Sequence, residues 1–112
     1  MATKKLILVT SGQAGGAATA LDLATEMRRQ GQEADVCLLQ DGVLCALQDN
    51  ETPAGTALGR ALEAEVGVYY LEDDLMARGF GRDDVRAEAR PVGYGDLVEL
   101  MLADERVPLG AF

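Results

Sequence analysis

The sequence predicts an α/β fold, a three-layer sandwich whose middle layer is a mainly parallel sheet of four to five strands. Short apolar runs alternate along the chain with segments whose apolar residues recur at helical spacing. The runs are nearly continuous, which is typical of strands in a parallel sheet covered on both faces. With 112 residues, 48% of them hydrophobic and 26% charged, we expect residues 1–112 to form a single domain.

Four apolar runs are the candidate strands. The first ends in a polar, glycine-rich turn, and the second and third repeat this theme. The fourth is weaker. In chain order the runs are Leu6–Val9, Ala34–Leu39, Val66–Leu71 and a stretch near Val85–Val92.

Four other segments have the periodicity of helices. The first is followed by Gly31, a residue type that commonly ends helices, and the third is a short segment from Glu72 or Asp73 to Arg78, closed by Gly79. Right-handed crossovers would place these helices against the sheet. The apolar stripes of the other three consist of Ala17, Ala20, Leu21, Ala24 and Met27, then Ala57, Leu58, Ala61 and Leu62, and finally Leu97, Val98 and Met101.

Three loops are expected to meet at one edge of the sheet. Open parallel sheets bind ligands beyond the carboxyl ends of their strands, where the loops of several βα units converge. In this chain those loops are Thr10–Gly16, Gln40–Cys45 and Glu72–Asp74. This edge is therefore the predicted location of the function.

The composition excludes several classes of function. Ten basic residues against 19 acidic ones give a net charge of −9, which repels phosphate backbones, so no direct nucleic-acid partner is expected. Because histidine is absent, the chain lacks the commonest metal ligand and cannot build a Ser-His-Asp triad. We expect neither a metal nor a cofactor. The opening apolar run is too short to span a membrane. The two cysteines form neither a zinc motif nor a disulfide framework, which predicts a cytoplasmic protein with reduced thiols.

The loop Thr10–Gly16 is a candidate binding site for a small anion or a nucleotide. Ser11, Gly12, Gly15 and Gly16 precede a predicted helix, and a glycine-rich turn before a helix exposes backbone N–H groups to an anion. The loop matches neither a Walker A motif nor a dinucleotide-binding fingerprint. The alternative is a tight turn whose glycines let the helix pack closely on the sheet.

The second loop holds the candidate reactive residue, Cys45. Gln40, Asp41 and Gly42 precede it and are further candidate binding residues; the Asp-Gly pair predicts a turn, with Asp41 capping a short helix. Cys45 would then lie in the first helical turn, where the helix dipole lowers the pKa of a thiol. The alternative is a small apolar residue packed under the loop. Cys37 lies inside an apolar strand and is expected in the core.

The third loop carries three consecutive carboxylates, Glu72, Asp73 and Asp74. Such a group can bind a hard cation or share protons. Acidic residues in the first turn of a helix more often complement its dipole. We expect the second role, since no metal site is predicted.

Two of the apolar segments, with the residues that follow them, resemble the DsrE/DsrF/DsrH family. Val36–Val43, followed by Ala46 and Leu47, resembles the family's LLLQDGV..AL segment. Val68–Gly79 is similar to its YxLxEDLxARG segment, especially as found in the DsrH/TusB branch.

The two ends of the chain extend this resemblance over most of its length. Gly93–Leu100 is similar to the xDYxxFVxL segment of the DsrH/TusB branch, although Gly93 replaces the usual acid, and Phe112 matches its terminal aromatic residue. The opening, Lys5–Ala24, is more similar to DsrE-type members. The order and spacing of the motifs place the chain nearest the DsrH/TusB branch.

The resemblance implies a DsrEFH-like α/β sandwich that acts as an oligomer in sulfur relay. Members of the family pass sulfane sulfur as a cysteine persulfide, in tRNA thiolation or in sulfur oxidation. In the sulfur-carrying DsrE/TusD branch, the reactive cysteine begins the segment that matches Leu71–Gly79, and here that position is Leu71. The resemblance therefore implies either a companion subunit or a chain in which Cys45 carries the sulfur.

Three hypotheses follow. The first is a sulfur-relay subunit, with Cys45 as persulfide carrier, that takes sulfur from a donor protein and assembles with itself or with DsrE/DsrF-type subunits. The second is a non-catalytic module that binds a small anion or nucleotide at Thr10–Gly16. The third is a structural subunit in which Tyr69, Tyr70 and the apolar tail Val107–Phe112 fill a partner's surface; alternatively, the tail folds back on its own helix.

Overall fold

A five-stranded parallel sheet is the centre of the fold in the computed structural model, which describes residues 4–12, 16–102 and 106–111. The strand order is β4-β3-β2-β1-β5, and every neighbouring pair is parallel. The predicted α/β class is confirmed. The strands are β1 (Lys4–Val9), β2 (Ala34–Leu38), β3 (Gly67–Leu71), β4 (Arg90–Val92) and β5 (Arg106–Ala111).

Helices cover both sides of this sheet. Alternate strand residues such as Ile7 and Val36 pack into one core with α1 and α2, while Leu6 and Cys37 point to the opposite side, where they pack with Leu97 of α4. This alternation produces the predicted three layers. The helices are α1 (Ala17–Arg29), α2 (Pro53–Glu63), α3 (Glu72–Ala77) and α4 (Tyr94–Leu102), with 3₁₀ segments at Gln40–Ala46 and Arg82–Asp84.

Local signals in the sequence set the ends of the helices. Gly31 and Gly79 have φ angles of +86° and +87° and follow α1 and α3, in the left-handed conformation that ends many helices. Thr52 caps α2, since its side chain accepts a hydrogen bond from the Gly55 N–H at 3.3 Å, and Pro53 occupies the first turn. None of the helices among the described residues is long and apolar enough to cross a membrane.

The C-terminal segment differs from the sequence prediction. Residues 106–111 form β5, which pairs with β1, so this segment belongs to the sheet as a strand that the sequence analysis did not predict. Tyr70, predicted as a partner contact, is 1% exposed and fills the core, whereas Tyr69 is partly exposed. Of the fourth apolar run, only Arg90–Val92 is a strand. Phe112 lies outside the described residues.

Candidate functional site

The three predicted loops meet at the carboxyl edge of the sheet. The Cys45 thiol donates a hydrogen bond to the backbone carbonyl of Ser11, with sulfur and oxygen 3.9 Å apart. The backbone N–H of Gln40 donates to the Asp74 carboxylate at 2.7 Å. The first loop therefore contacts the second, and the second contacts α3, as the parallel topology predicted.

Gly42 allows the second loop to lie directly against the end of β1. Its backbone N–H donates to the carbonyl of Leu39, and Leu39 in turn donates to the carbonyl of Val9, both at 2.8 Å. A Cβ atom added at Gly42 would lie 2.1 Å from the Val9 oxygen, inside any allowed contact. The loop therefore requires glycine at this position.

Gln40 begins the 3₁₀ segment in an uncommon conformation. Its φ angle is +51°, in the left-handed region that costs a non-glycine residue about 1–2 kcal/mol. The hydrogen bond from its N–H to Asp74 has a charged acceptor, and such bonds are about twice as strong as neutral ones. The hydrogen bond to the Asp74 carboxylate thus offsets the free-energy cost of the left-handed conformation of Gln40.

Asp41 forms an ion pair instead of the predicted cap. The Nε of Arg78 lies 2.9 Å from the Asp41 carboxylate, and Nη1 of Arg78 donates to the backbone carbonyl of Asp74 at 2.9 Å. Arg78 therefore joins the loop to the end of α3. Its role was missed from the sequence, because the two charges of the pair are 37 residues apart.

Cys45 is buried, and its environment opposes ionisation. The side chain is 0% exposed, and burial raises the pKa of the thiol to about 11, with a backbone hydrogen bond acting in the lowering direction. The prediction that a helix dipole lowers this pKa is wrong. The 3₁₀ segment begins at Gln40, so Cys45 lies near its C-terminal end, where the dipole does not favour an anion.

Cys37 occupies the core, as predicted. It is 0% exposed, and burial, followed by the negative charge of Asp74, raises the pKa of its thiol to about 12. Leu71, at the position where the resemblance implies a reactive cysteine in the DsrE/TusD branch, is also buried and directly precedes α3. The described residues thus hold no exposed thiol at the edge.

The three acidic residues occupy the first turn of α3, where they complement the helix dipole. Glu72 forms an ion pair with Arg82, and this hydrogen bond, with the charge of Arg82, holds the pKa of Glu72 below its usual value. Asp74 accepts the hydrogen bond from Gln40. No set of three His, Cys, Asp or Glu residues among those described is placed to hold a metal ion.

The first loop is described only in part. Ser11 and Gly12 follow β1, and the Ser11 Oγ is buried without a hydrogen-bond partner among the described atoms. Gly16 precedes α1, whose first turn has no acidic residue and no side-chain cap. Gly15 lies outside the described residues. In the described part of this loop, the groups that could bind an anion are therefore the backbone N–H groups at the start of α1 and the Ser11 hydroxyl.

A cavity of about 500 Å³ lies beside the second loop and carries negative charge. Leu44, Leu47 and Phe80 contribute apolar surface, and the described residues lining it include no Lys or Arg. The negative charge of this cavity disfavours an anionic ligand. The acidic residues that line it are Asp49, Glu51, Asp83 and Asp84.

Comparison with known proteins agrees with the predicted resemblance. The sequence profile described as "DsrH like protein" matches residues 17–107. The chain is 39% identical over 79 residues to Protein TusB of Erwinia tasmaniensis, an alignment that covers 70% of this chain and 77% of that protein. It is 34% identical over 85 residues to Protein TusB of Yersinia pestis, covering 76% and 83% of the two chains.

Solved structures share the fold at low sequence identity. The ychN protein from E. coli superimposes with a TM-score of 0.84 at 16% identity and covers 100% of both chains. MTH1491 from Methanobacterium thermoautotrophicum gives a TM-score of 0.73 at 12% identity and covers 96% of this chain and 99% of that one. These structures establish the DsrEFH-like fold alone. Together with the profile and the TusB alignments, they show that the chain belongs to the DsrH-like family, in the DsrH/TusB branch.

Proposed function

We propose that this chain is a small cytoplasmic subunit of a sulfur relay that passes sulfane sulfur between proteins as cysteine persulfides. It would act as one domain over residues 1–112, in an oligomer with related DsrE/DsrF-type subunits. The observation that carries this proposal is the DsrH-like match over residues 17–107. The convergence of three loops at one edge of the sheet supports it, because that edge is where such a fold binds its ligands.

The residue at position 71 bears on the role of the chain within the relay. In the sulfur-carrying branch, the resemblance implies a cysteine here, whereas this chain has Leu71, which is 2% exposed. The relayed sulfur must then be carried by another subunit or by another cysteine of this chain. Cys45 is the cysteine of this chain that lies at this edge of the sheet.

Cys45 is the candidate carrier within the chain. Its thiolate would attack the outer sulfur of a donor protein's persulfide, forming a new S–S bond while the donor's S–S bond breaks and the donor leaves as a thiolate. No oxidant is needed. With a pKa of about 11 and no exposed surface, Cys45 would react only after the loop Gln40–Cys45 opens toward the donor.

A non-catalytic subunit is the second candidate, and the burial of both thiols favours it. Such a subunit would support its partners and bind a small anion or nucleotide at Thr10–Gly16. The features that favour this ligand are the Ser11 Oγ, which has no hydrogen-bond partner among the described atoms, and the first turn of α1, which has no acidic residue.

Intact-protein mass spectrometry separates the two roles. The wild type, Cys45→Ser and Cys37→Ser would each be incubated with inorganic polysulfide, then with a reductant. A carrier gains one reducible sulfur atom in the wild type and in Cys37→Ser but not in Cys45→Ser. If no form is loaded, even with DsrE/DsrF-type subunits present, Cys45 is not the carrier.

Ligand-dependent melting tests the second candidate. A ligand that binds only the folded state at a hundred times its Kd adds about 2.7 kcal/mol of stability. Phosphate and ATP would be titrated against the wild type and Ser11→Ala. An increase in Tm that Ser11→Ala reduces supports binding at Thr10–Gly16, and an unchanged Tm contradicts it.

A further inference from the structure

Helix α4 exposes a row of apolar side chains. Tyr94, Val98 and Leu102 are 58%, 52% and 77% exposed. They are spaced four residues apart and so lie on one side of the helix, in a row about 12 Å long at 1.5 Å per residue. Among the residues whose side-chain exposure is described, the other exposed large hydrophobic side chains are Leu23 (43%) and Met76 (62%), each on a different helix. A contiguous apolar row of this kind marks an interaction surface.

The row lies on the less covered side of the sheet. Helices α1 and α2 cover one side with 13 and 11 residues, whereas α4, with nine, is the helix that packs on the other in the described part of the chain. Leu8, Leu39 and Tyr69 pack on that second side but are only partly buried. Parallel strands are normally covered on both faces, so this side of the sheet has room for a further packed element from a partner.

The charge around the row identifies the kind of partner. Tyr94–Leu102 contains two acidic residues, Asp96 and Glu99, and no Lys or Arg. A second copy seated on the row would bring another net charge of −9 and a second pair of acidic residues, Asp96 and Glu99. Like charge keeps such chains apart. A partner with an apolar surface bordered by Lys or Arg avoids both penalties.

We propose that the row formed by Tyr94, Val98 and Leu102 is the surface on which this chain docks a related, less acidic subunit. The partner's contact surface is apolar at its centre and basic at its border. This inference rests on the proposed function and adds to it the location of the contact and the reason that the partner differs from the chain itself.

Binding to purified DsrE-type and DsrF-type subunits of the same relay tests the proposal. Val98→Glu puts a charge in the middle of the row, and we expect it to weaken binding at least tenfold by isothermal titration. Leu23→Glu, on α1, makes the same kind of change at a side chain 43% exposed, and it should bind like the wild type. Both positions face solvent, and circular dichroism and Tm would verify that both variants fold.

Three results would overturn the proposal. The first is wild-type affinity in Val98→Glu, and the second is an equal loss in Leu23→Glu. The third is a dimer of the chain alone, seen by sedimentation equilibrium and abolished by Val98→Glu, because a second copy would then occupy the row.

The proposed function is judged separately, by whether omitting this chain stops sulfur transfer between the other subunits. Transfer that continues without the chain refutes the relay role, while the binding measurements still decide the docking surface. Conversely, a relay that needs the chain but is indifferent to Val98→Glu refutes the docking surface alone.

Discussion

Replacing Gly42 by alanine is expected to destabilise the protein strongly. The added Cβ would lie 2.1 Å from the oxygen and 2.8 Å from the carbon of the Val9 carbonyl, and both are backbone atoms that cannot rotate away. The loop would have to move outward by more than 1 Å to reach the ordinary contact range, which begins at 3.4 Å. That same carbonyl accepts the hydrogen bond from Leu39.

The expected cost follows from these two contacts. Overpacking of a rigid site costs about 1–3 kcal/mol, and a lost hydrogen bond costs about 0.5–1.5 kcal/mol. We therefore expect the free energy of unfolding of Gly42→Ala to fall by about 3 kcal/mol, measured by urea denaturation. On the usual scale for a domain near this size, Tm would fall by about 12 °C or more.

Gly95→Ala is the matched control. Gly95 lies in α4, and nothing is within 4 Å of an added Cβ. Alanine is favoured over glycine inside a helix by up to about 1 kcal/mol, so this variant should be as stable as the wild type or more so. If Gly42→Ala unfolds at the same urea concentration as the wild type, the close approach of the loop to β1 is not as described.

Three further results are expected. Arg78→Gln removes the ion pair with Asp41. Because that pair is partly exposed, the free energy of unfolding should fall by about 1 kcal/mol or less, while amide exchange in residues 40–46 becomes faster. Unchanged exchange would contradict the role of Arg78 in holding this loop. Glu72→Gln should be less stable than the wild type above pH 4.5, and the difference should vanish as pH falls through the lowered pKa of Glu72. Urea titrations that show the same difference at pH 3 and pH 7 would contradict a stabilising contribution from the ionised carboxylate. Native Cys45 should react with iodoacetamide at pH 8 far more slowly than in urea, since a pKa of about 11 leaves about 0.1% thiolate; equal rates would refute its burial.

Most of the sheet was predictable because its strands are long apolar runs. The segment that forms β5 was not recognised, since Pro108 and Gly110 interrupt its apolar pattern and both residue types are depleted in strands. Proline is tolerated at a sheet edge, where β5 lies. The fourth strand was predicted near Val85–Val92, but only Arg90–Val92 pairs with β3. Local composition does not determine how many residues of such a stretch pair with a neighbouring strand.

The site was predictable in position but not in chemistry. Parallel topology alone brings the three loops together, so their convergence followed from the order of strands and helices. For Cys45 the sequence left two alternatives open, a thiol whose pKa a helix dipole lowers and a small apolar residue packed under the loop. The choice depends on burial beneath a loop whose path Gly42 and Arg78 determine. Such contacts between residues distant in sequence leave no local pattern. The row on α4 shows the same limit, since Val98 was predicted to share one face of the helix with Leu97, yet Leu97 is buried and Val98 is half exposed.

The pairing of β5 with β1 has a consequence for the order in which the protein folds. On the ribosome, β1 is synthesised first and can pair with β2 early, but its other edge stays open until the residues of β5 emerge. This contact spans nearly the whole chain, and such long-range pairing slows folding. Until it forms, an apolar strand presents unpaired backbone groups, the kind of edge at which chains aggregate. We therefore expect a chaperone to act late in synthesis, and we expect truncation before Arg106 to reduce soluble yield more than the loss of seven residues suggests.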